Sequence, residues 1–394
     1  MDPSLKSALN SLPTPDAPSS DLSKRLSEVI AEKIGANGGR ITFDRFMELT
    51  LYQPGLGYYS NGLRKFGEQG DFITAPELTP LFGRCIAHQC AEAFEQIQSG
   101  SILEFGAGSG RLAADILGEL KRLDKLPQRY CIMELSADLR QRQQELLQQE
   151  QPDFFDHIEW LEQLPENFSG VIIANEVLDA MPISRFRIDE EGIKEQYVVN
   201  NEGGFQPTWD TAHSPGLEDT ARTLAERYAL PTGYESEINL RAKPWVAELG
   251  KMLSKGMALL IDYGYSGHEF YHPQRDKGTL ICHYRHRVHS DPFILPGLQD
   301  ITANVDFTAV AEAGMENGFD SRAYTSQAHF LLGGGLEQLM METADNSQDQ
   351  LRRIQAVKQL TMPNEMGERF KVLALGKGLE RSPSGFSLHQ LPLS

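Results

Sequence analysis

The stretch "SILEFGAGSGRLAADIL", residues 101–117, joins a short apolar run to a helical pattern through Gly106, Gly108 and Gly110. One glycine suffices for a turn. Three at alternate positions imply backbone angles closed to side chains, or something lying almost against the main chain. A strand that ends in a glycine turn and opens a helix makes a nucleotide-sized cradle at the carboxyl edge of a sheet. In dinucleotide proteins the spacing is G-x-G-x-x-G, which seats a pyrophosphate on the helix N-terminus. Here it is E-x-G-x-G-x-G, from Glu104 to Gly110. A carboxylate so close repels a pyrophosphate and suits a cationic ligand.

The flanking sequence alternates strands and helices. Strands are predicted at 101–105, 129–134, 170–175, 256–264 and 369–376, with helices at 109–123, 136–150 and 239–254 among them. That order predicts an α/β fold, a parallel sheet with helices on both faces. Before it come helical patterns at 21–34, capped by Asp21, at 41–52 and at 78–97. A glycine- and aromatic-rich stretch, 53–77, reads as an ordered loop packed over something. A hairpin at 184–199, a helix near 216–229, and helices near 307–316, 327–343 and 347–360 complete the pattern. The expected division is a flexible tail at 1–20, a helical N-terminal segment with a covering loop at 21–98, and a core at 99–380. Insertions interrupt that core at about 184–235 and 268–365, and residues 381–394 form a second tail.

Composition removes several function classes. The net charge is −18, from 55 acidic and 37 basic residues, which disfavours phosphate backbones and so nucleic acid. Cys85, Cys90, Cys131 and Cys282 form no C-x-x-C pair, so buried thiols in a reducing compartment are expected. Apolar runs such as "MALLID" are too short for membrane insertion. The N-terminus lacks an Arg-rich amphipathic pattern and a signal-type apolar core, which points to a cytoplasmic protein.

Two further stretches bear on chemistry. Glu134 ends the strand "YCIME", about thirty residues after Glu104, where an acid accepts hydrogen bonds from both ribose hydroxyls. That fits NAD or S-adenosylmethionine equally; the glycine spacing favours S-adenosylmethionine, with its amino and sulfonium groups. In "VIIANEVLDAMPISRF", a buried strand runs into Asn175, Glu176 and Asp179. Glu176 and Asp179 are spaced i, i+3, so one helical turn would align them to hold a cationic nucleophile or take its proton. Helix capping by Asn175 and solvated carboxylates is the structural alternative. "HYRHRVH" brings His283, His286 and His289 close in sequence, but without H-E-x-x-H or carboxylates at ligand spacing no metal site is expected.

These segments, with "DFITAPELTPLFG" (71–83), "RVHSDPFILPGLQDITANVDF" (287–307) and "MGERFKVLALGKG" (366–378), resemble the MidA-like family across roughly residues 22–380. That family is a class I S-adenosylmethionine-dependent methyltransferase family, which includes the mitochondrial complex I assembly arginine methyltransferase. The resemblance implies a Rossmann-like seven-stranded sheet with helical N-terminal and mid-chain and C-terminal additions. It implies a protein substrate with a target arginine, a complex I subunit in mitochondrial members. By motif, Glu104, Gly106, Gly108 and Gly110 would surround the methionine part, Glu134 the ribose, and Asn175 and Glu176 the methyl group. "GDFITAPE" would close over the cofactor, with Thr74, Pro76 and Glu77 nearest. Glu176 and then Asp179 are the expected catalytic acids. A small-molecule methyltransferase and a non-catalytic cofactor-binding assembly factor are the alternatives, and a homodimer is one option for the oligomeric state.

Overall fold

The computed structural model describes residues 12–62, 74–342 and 347–393. They divide into two compact units, each assembled from three pieces of chain. One unit holds residues 74–178, Lys243–Gly267 and 305–393; the other holds residues 12–62, Asp179–Ala242 and His268–Asn304.

The first unit is built on an eight-stranded sheet. Its strands are β1 (Ser101–Phe105), β2 (Tyr130–Met133), β3 (Ile158–Trp160), β4 (Phe168–Asn175), β5 (Leu253–Tyr265), β6 (Val305–Asp306), β7 (Ser321–Ser326) and β8 (Phe370–Lys377). Seven follow the order β7-β8-β5-β4-β1-β2-β3, and the two-residue β6 pairs with β5. The pairings from β3 through to β5 are parallel, whereas β8 runs antiparallel to both β5 and β7. This is the expected class I methyltransferase-like sheet, seven strands along one path with a short eighth.

Because helices cover the parallel strands on both faces, those strands read as apolar runs rather than alternations. Every residue of β1 is buried. Helices α1 (Pro80–Ile97) and α2 (Arg111–Arg122) bring Phe82, Ile86, Leu112 and Ile116 into one core with Ile102, Val171, Ile173 and Leu259. On the other face, α4 (Phe307–Glu316) lies so close that a Cβ on Gly314 would meet Leu375 Cδ1 at 2.7 Å. Helix α3 (Ala137–Glu150) follows β2. Helix α1, placed in the N-terminal segment by the linear reading, belongs to this unit, and so do residues 381–393, where Phe386 is buried on Phe330.

The second unit carries an antiparallel sheet of Arg40–Thr42, Gly192–Asn201, Ser184–Asp189 and Glu235–Ile238, with Gly204–Thr211 paired to Gly192–Asn201. The hairpin expected at 184–199 is its centre. Helix Ala17–Ala36 contributes Leu26, Ile30 and Ile34 to the core with Phe43 and Phe46. This helix starts earlier than expected: Asp16, not Asp21, is its cap, accepting from Ser19 N at 2.9 Å, and a proline stands in the first turn. Residues 40–42 are strand rather than helix, because they pair with Tyr197–Val199. A small sheet of Arg287–His289, Ile281–Tyr284 and Asp300–Thr302 holds the histidine stretch.

Candidate cofactor and acceptor site

The site is built where β1, β2 and β4 end. Gly106, Gly108 and Gly110 all have positive φ, at 63°, 54° and 87°. L side chains pay for that region, so the conformation alone accounts for the residue type at all three positions. Packing adds to it. A Cβ on Gly106 would reach Val177 Cγ2 at 3.3 Å, and one on Gly110 would reach the Gln143 backbone at 3.3 Å. Gly106 N donates to Met133 O, which ties the turn to the end of β2, and Gly110 caps α2.

Glu104, the penultimate residue of β1, is 2% exposed. Tyr130 OH donates to its Oε2 at 2.8 Å. Burial pushes its carboxyl up to about 7; the Tyr130 bond opposes that rise and the nearby Glu134 adds to it. Among the described residues no basic side chain forms an ion pair with Glu104. A buried acid of this kind is stabilised by an incoming cation. The amino and sulfonium groups of S-adenosylmethionine fit that donor set, as do the open glycine turn and an acid at the next strand end.

Glu134 is that acid. Its Oε1 accepts from Ser136 N at 2.9 Å and its Oε2 from Gln143 Nε2 at 3.0 Å. A carboxylate oxygen can accept more than one hydrogen bond, which suits an acid that takes ribose hydroxyls. Glu77 accepts from Ser109 Oγ, which links the short helix Ala75–Leu78 to the glycine turn. Thr74 precedes that helix and Pro76 is buried within it. Of the "GDFITAPE" segment, residues 70–73 lie outside the described residues.

At the end of β4, Asn175 Nδ2 donates to Glu176 Oε1 at 3.2 Å. Asn175 Oδ1 is buried with no hydrogen-bond partner among the described residues. Glu176 has φ of 55°, a strained value for a residue with a side chain, and its N–H is held by Ile261 O at 2.9 Å. Asp262 Oδ2 then accepts from Leu178 N at 3.0 Å. These bonds to β5 hold the segment with Glu176 at a left-handed φ, so the expected helical turn over Glu176 and Asp179 does not form. Asp179 is buried and opens the other unit, where its carbonyl accepts from Ala303 N at 3.2 Å.

Sequence reasoning missed Tyr130, Gln143, Trp160, Ser109 and Asp262. For Gln143 a signal exists: Leu139, Gln143 and Leu147 are the buried residues of α3 at four-residue spacing, so a polar residue occupies a core position. Of the histidines, His283 and His289 are held below their ordinary range by burial, and His286 sits in the turn at φ 60°. No group of three metal-ligating side chains occurs among the described residues. No helix there is long and apolar enough to cross a membrane.

Residues 85–325 match a family model described as an S-adenosyl-L-methionine-dependent methyltransferase. A crystal structure of a Burkholderia thailandensis protein bound to S-adenosyl-homocysteine superposes with a TM-score of 0.92 at 41% identity, covering 97% of this chain and 99% of that one. The mitochondrial protein arginine methyltransferase NDUFAF7 of Danio rerio is 29% identical over 387 residues, 91% of this chain and 88% of its own. The mitochondrial homologue of Caenorhabditis elegans is 27% identical, covering 95% and 93%. These names overturn the cytoplasmic placement. It rested on the absence of a leader pattern, and a folded core of one family is compatible with different addresses. The sheet order, the glycine turn between Glu104 and α2, and the match over more than half of its length place this chain in the S-adenosyl-L-methionine-dependent methyltransferase family.

Proposed function

We propose that the chain methylates an arginine side chain of a protein substrate, and that Glu176 is the acid that orients the guanidinium and takes its proton. S-adenosylmethionine, when bound, supplies an electrophilic methyl on a positively charged sulfur. The protein's part is to hold ligand and acceptor in line and to manage charge. Glu104 offsets the cationic end of the cofactor, the turn at Gly106, Gly108 and Gly110 lets it approach the main chain, and Glu134 takes the ribose. Glu77 joins its helix to the glycine turn through Ser109, Thr74 and Pro76 on the same segment are assigned to cover the cofactor, and Asn175 is assigned a place beside the methyl group.

A guanidinium remains protonated in water, so its methylation needs a carboxylate within reach. The observation that carries the reading is Glu176 itself, a carboxylate fixed by a strained backbone at the end of a central strand. Glu176 is assigned the proton-accepting role ahead of Asp179, which is buried within the other unit. The name of the relatives, protein arginine methyltransferase, supports a protein acceptor, and a complex I subunit is the first candidate to assay. All proposed cofactor residues come from one chain, so a homodimer is not required by this reading.

The test pairs binding with transfer. Glu176→Gln should keep S-adenosylhomocysteine affinity and lower methyl transfer by about 10²–10⁴-fold, the range of a general base. Incubation with labelled cofactor and cell lysate should label arginine in protein. Label found only in small metabolites would overturn the protein acceptor. Unchanged transfer by Glu176→Gln would overturn the role of Glu176.

A further inference from the structure

Gln143 lies wholly buried on α3, amid a glutamine-rich run whose other members face solvent more. Its amide is fully used. Nε2 donates to Gly108 O at 3.0 Å and to Glu134 Oε2 at 3.0 Å, and Oε1 accepts from Trp160 Nε1 at 2.9 Å. These partners stand at three successive strand ends: the glycine turn after β1, the acid after β2 and the tryptophan closing β3. A primary amide has two N–H donors, so one side chain meets both acceptors with nothing to spare. The indole N–H is a donor only, and it fixes which end of the amide is oxygen. Gln143 thereby sets the direction of the Gly108 carbonyl and the orientation of the Glu134 carboxylate at the same time.

We propose that Gln143 is a positioning residue for the cofactor: through one amide it couples the glycine turn that seats the methionine part to the carboxylate that takes the ribose. The proposal rests on the reading of this crevice as the cofactor site. Of the two Glu134 oxygens, one is held by Gln143 and the other by the Ser136 backbone, so the plane of the carboxylate is set before ligand arrives. Without the amide, Glu134 loses the bond at Oε2 that sets the plane of its carboxylate. Its ribose-facing lone pairs then have to be ordered by the ligand, which weakens binding.

The experiment is a double-mutant cycle read by calorimetry with S-adenosylhomocysteine. Gln143→Met keeps length and nearly keeps volume while removing both donors. It should weaken binding about 10- to 100-fold, as expected for losing a hydrogen bond to a charged group. In a Glu134→Ala background the same change should cost at least about threefold less, because only the part that acts through the Gly108 carbonyl remains. Trp160→Phe, which frees the amide to flip but leaves Gln143 in place, should weaken binding several-fold and guards against misfolding of Gln143→Met. Equal losses in both backgrounds, or affinities of both single variants within about twofold of wild type, would overturn the coupling. Failure of the unaltered protein to bind S-adenosylhomocysteine would instead sink the reading of the crevice itself, and this proposal with it.

Discussion

Glu104 shows how a single residue is placed for ligand at the expense of the empty fold. Its carboxyl sits at about 7 in the folded chain against an ordinary value of 4.5, so the folded state holds the proton more tightly than the unfolded one. Stability from this group is therefore complete below about pH 4.5 and is lost as the pH rises to 7, a deficit of roughly 3 kcal/mol at most. Glu104→Gln should thus raise the unfolding free energy of the cofactor-free protein at pH 8 by about 1–3 kcal/mol, read by urea denaturation. It should also weaken S-adenosylmethionine binding at least about tenfold. Binding by the unaltered protein should strengthen from pH 6 to 8, as Glu104 ionises, and flatten above; calorimetry across that range would show it. Gly110→Ala is the converse case. At φ 87°, and with a Cβ 3.3 Å from the Gln143 backbone, it should cost roughly 1–2 kcal/mol and displace the glycine turn, lowering stability and cofactor affinity together. The glycines and the two strand-end acids were legible because residue type and spacing carry them. Tyr130 was not: its hydroxyl reaches Glu104 only because β1 and β2 pair with Ile102 beside Tyr130, and a parallel register leaves no mark in sequence.

Among the elements, those buried on both faces were the easiest to foresee. β1, β4 and β5 stand out as apolar runs, whereas β3, three residues long at the sheet edge, and the strands around the histidines are too short to show a period. The loop after β4 failed for another reason. The spacing of Glu176 and Asp179 suits a helical turn, but long-range bonds to Ile261 and Asp262 outcompete it. Asp262 is the key to that loop, since it accepts from both Leu178 N and Tyr263 N. Asp262→Ala should strand those donors at a cost of about 1–3 kcal/mol. With the loop after Glu176 no longer held at Leu178, methyl transfer should fall more than S-adenosylhomocysteine affinity, which a comparison of turnover with calorimetry would reveal.

For the molecule as a whole, charge and connectivity matter most. A formal charge of −18 attracts a basic segment at long range, and salt screens that attraction with a Debye length of about 10 Å at 0.1 M. Raising sodium chloride from 50 to 500 mM should lower kcat/KM for a basic peptide acceptor severalfold, chiefly through association, while S-adenosylhomocysteine affinity moves much less. Such whole-chain charge is legible from composition, but the division into two units is not, because each unit is gathered from three separated pieces of chain. The antiparallel β8 has a consequence for synthesis. It occupies the slot between β5 and β7, yet it is the last of the eight strands to leave the ribosome. Until it emerges, the nascent chain carries β5 with a bare flank and β7 with no neighbour, a state open to mispairing with other polypeptides. A premature stop shortly before residue 370 would make that hazard permanent, and the truncated product would be recovered as aggregate rather than as a weakened enzyme.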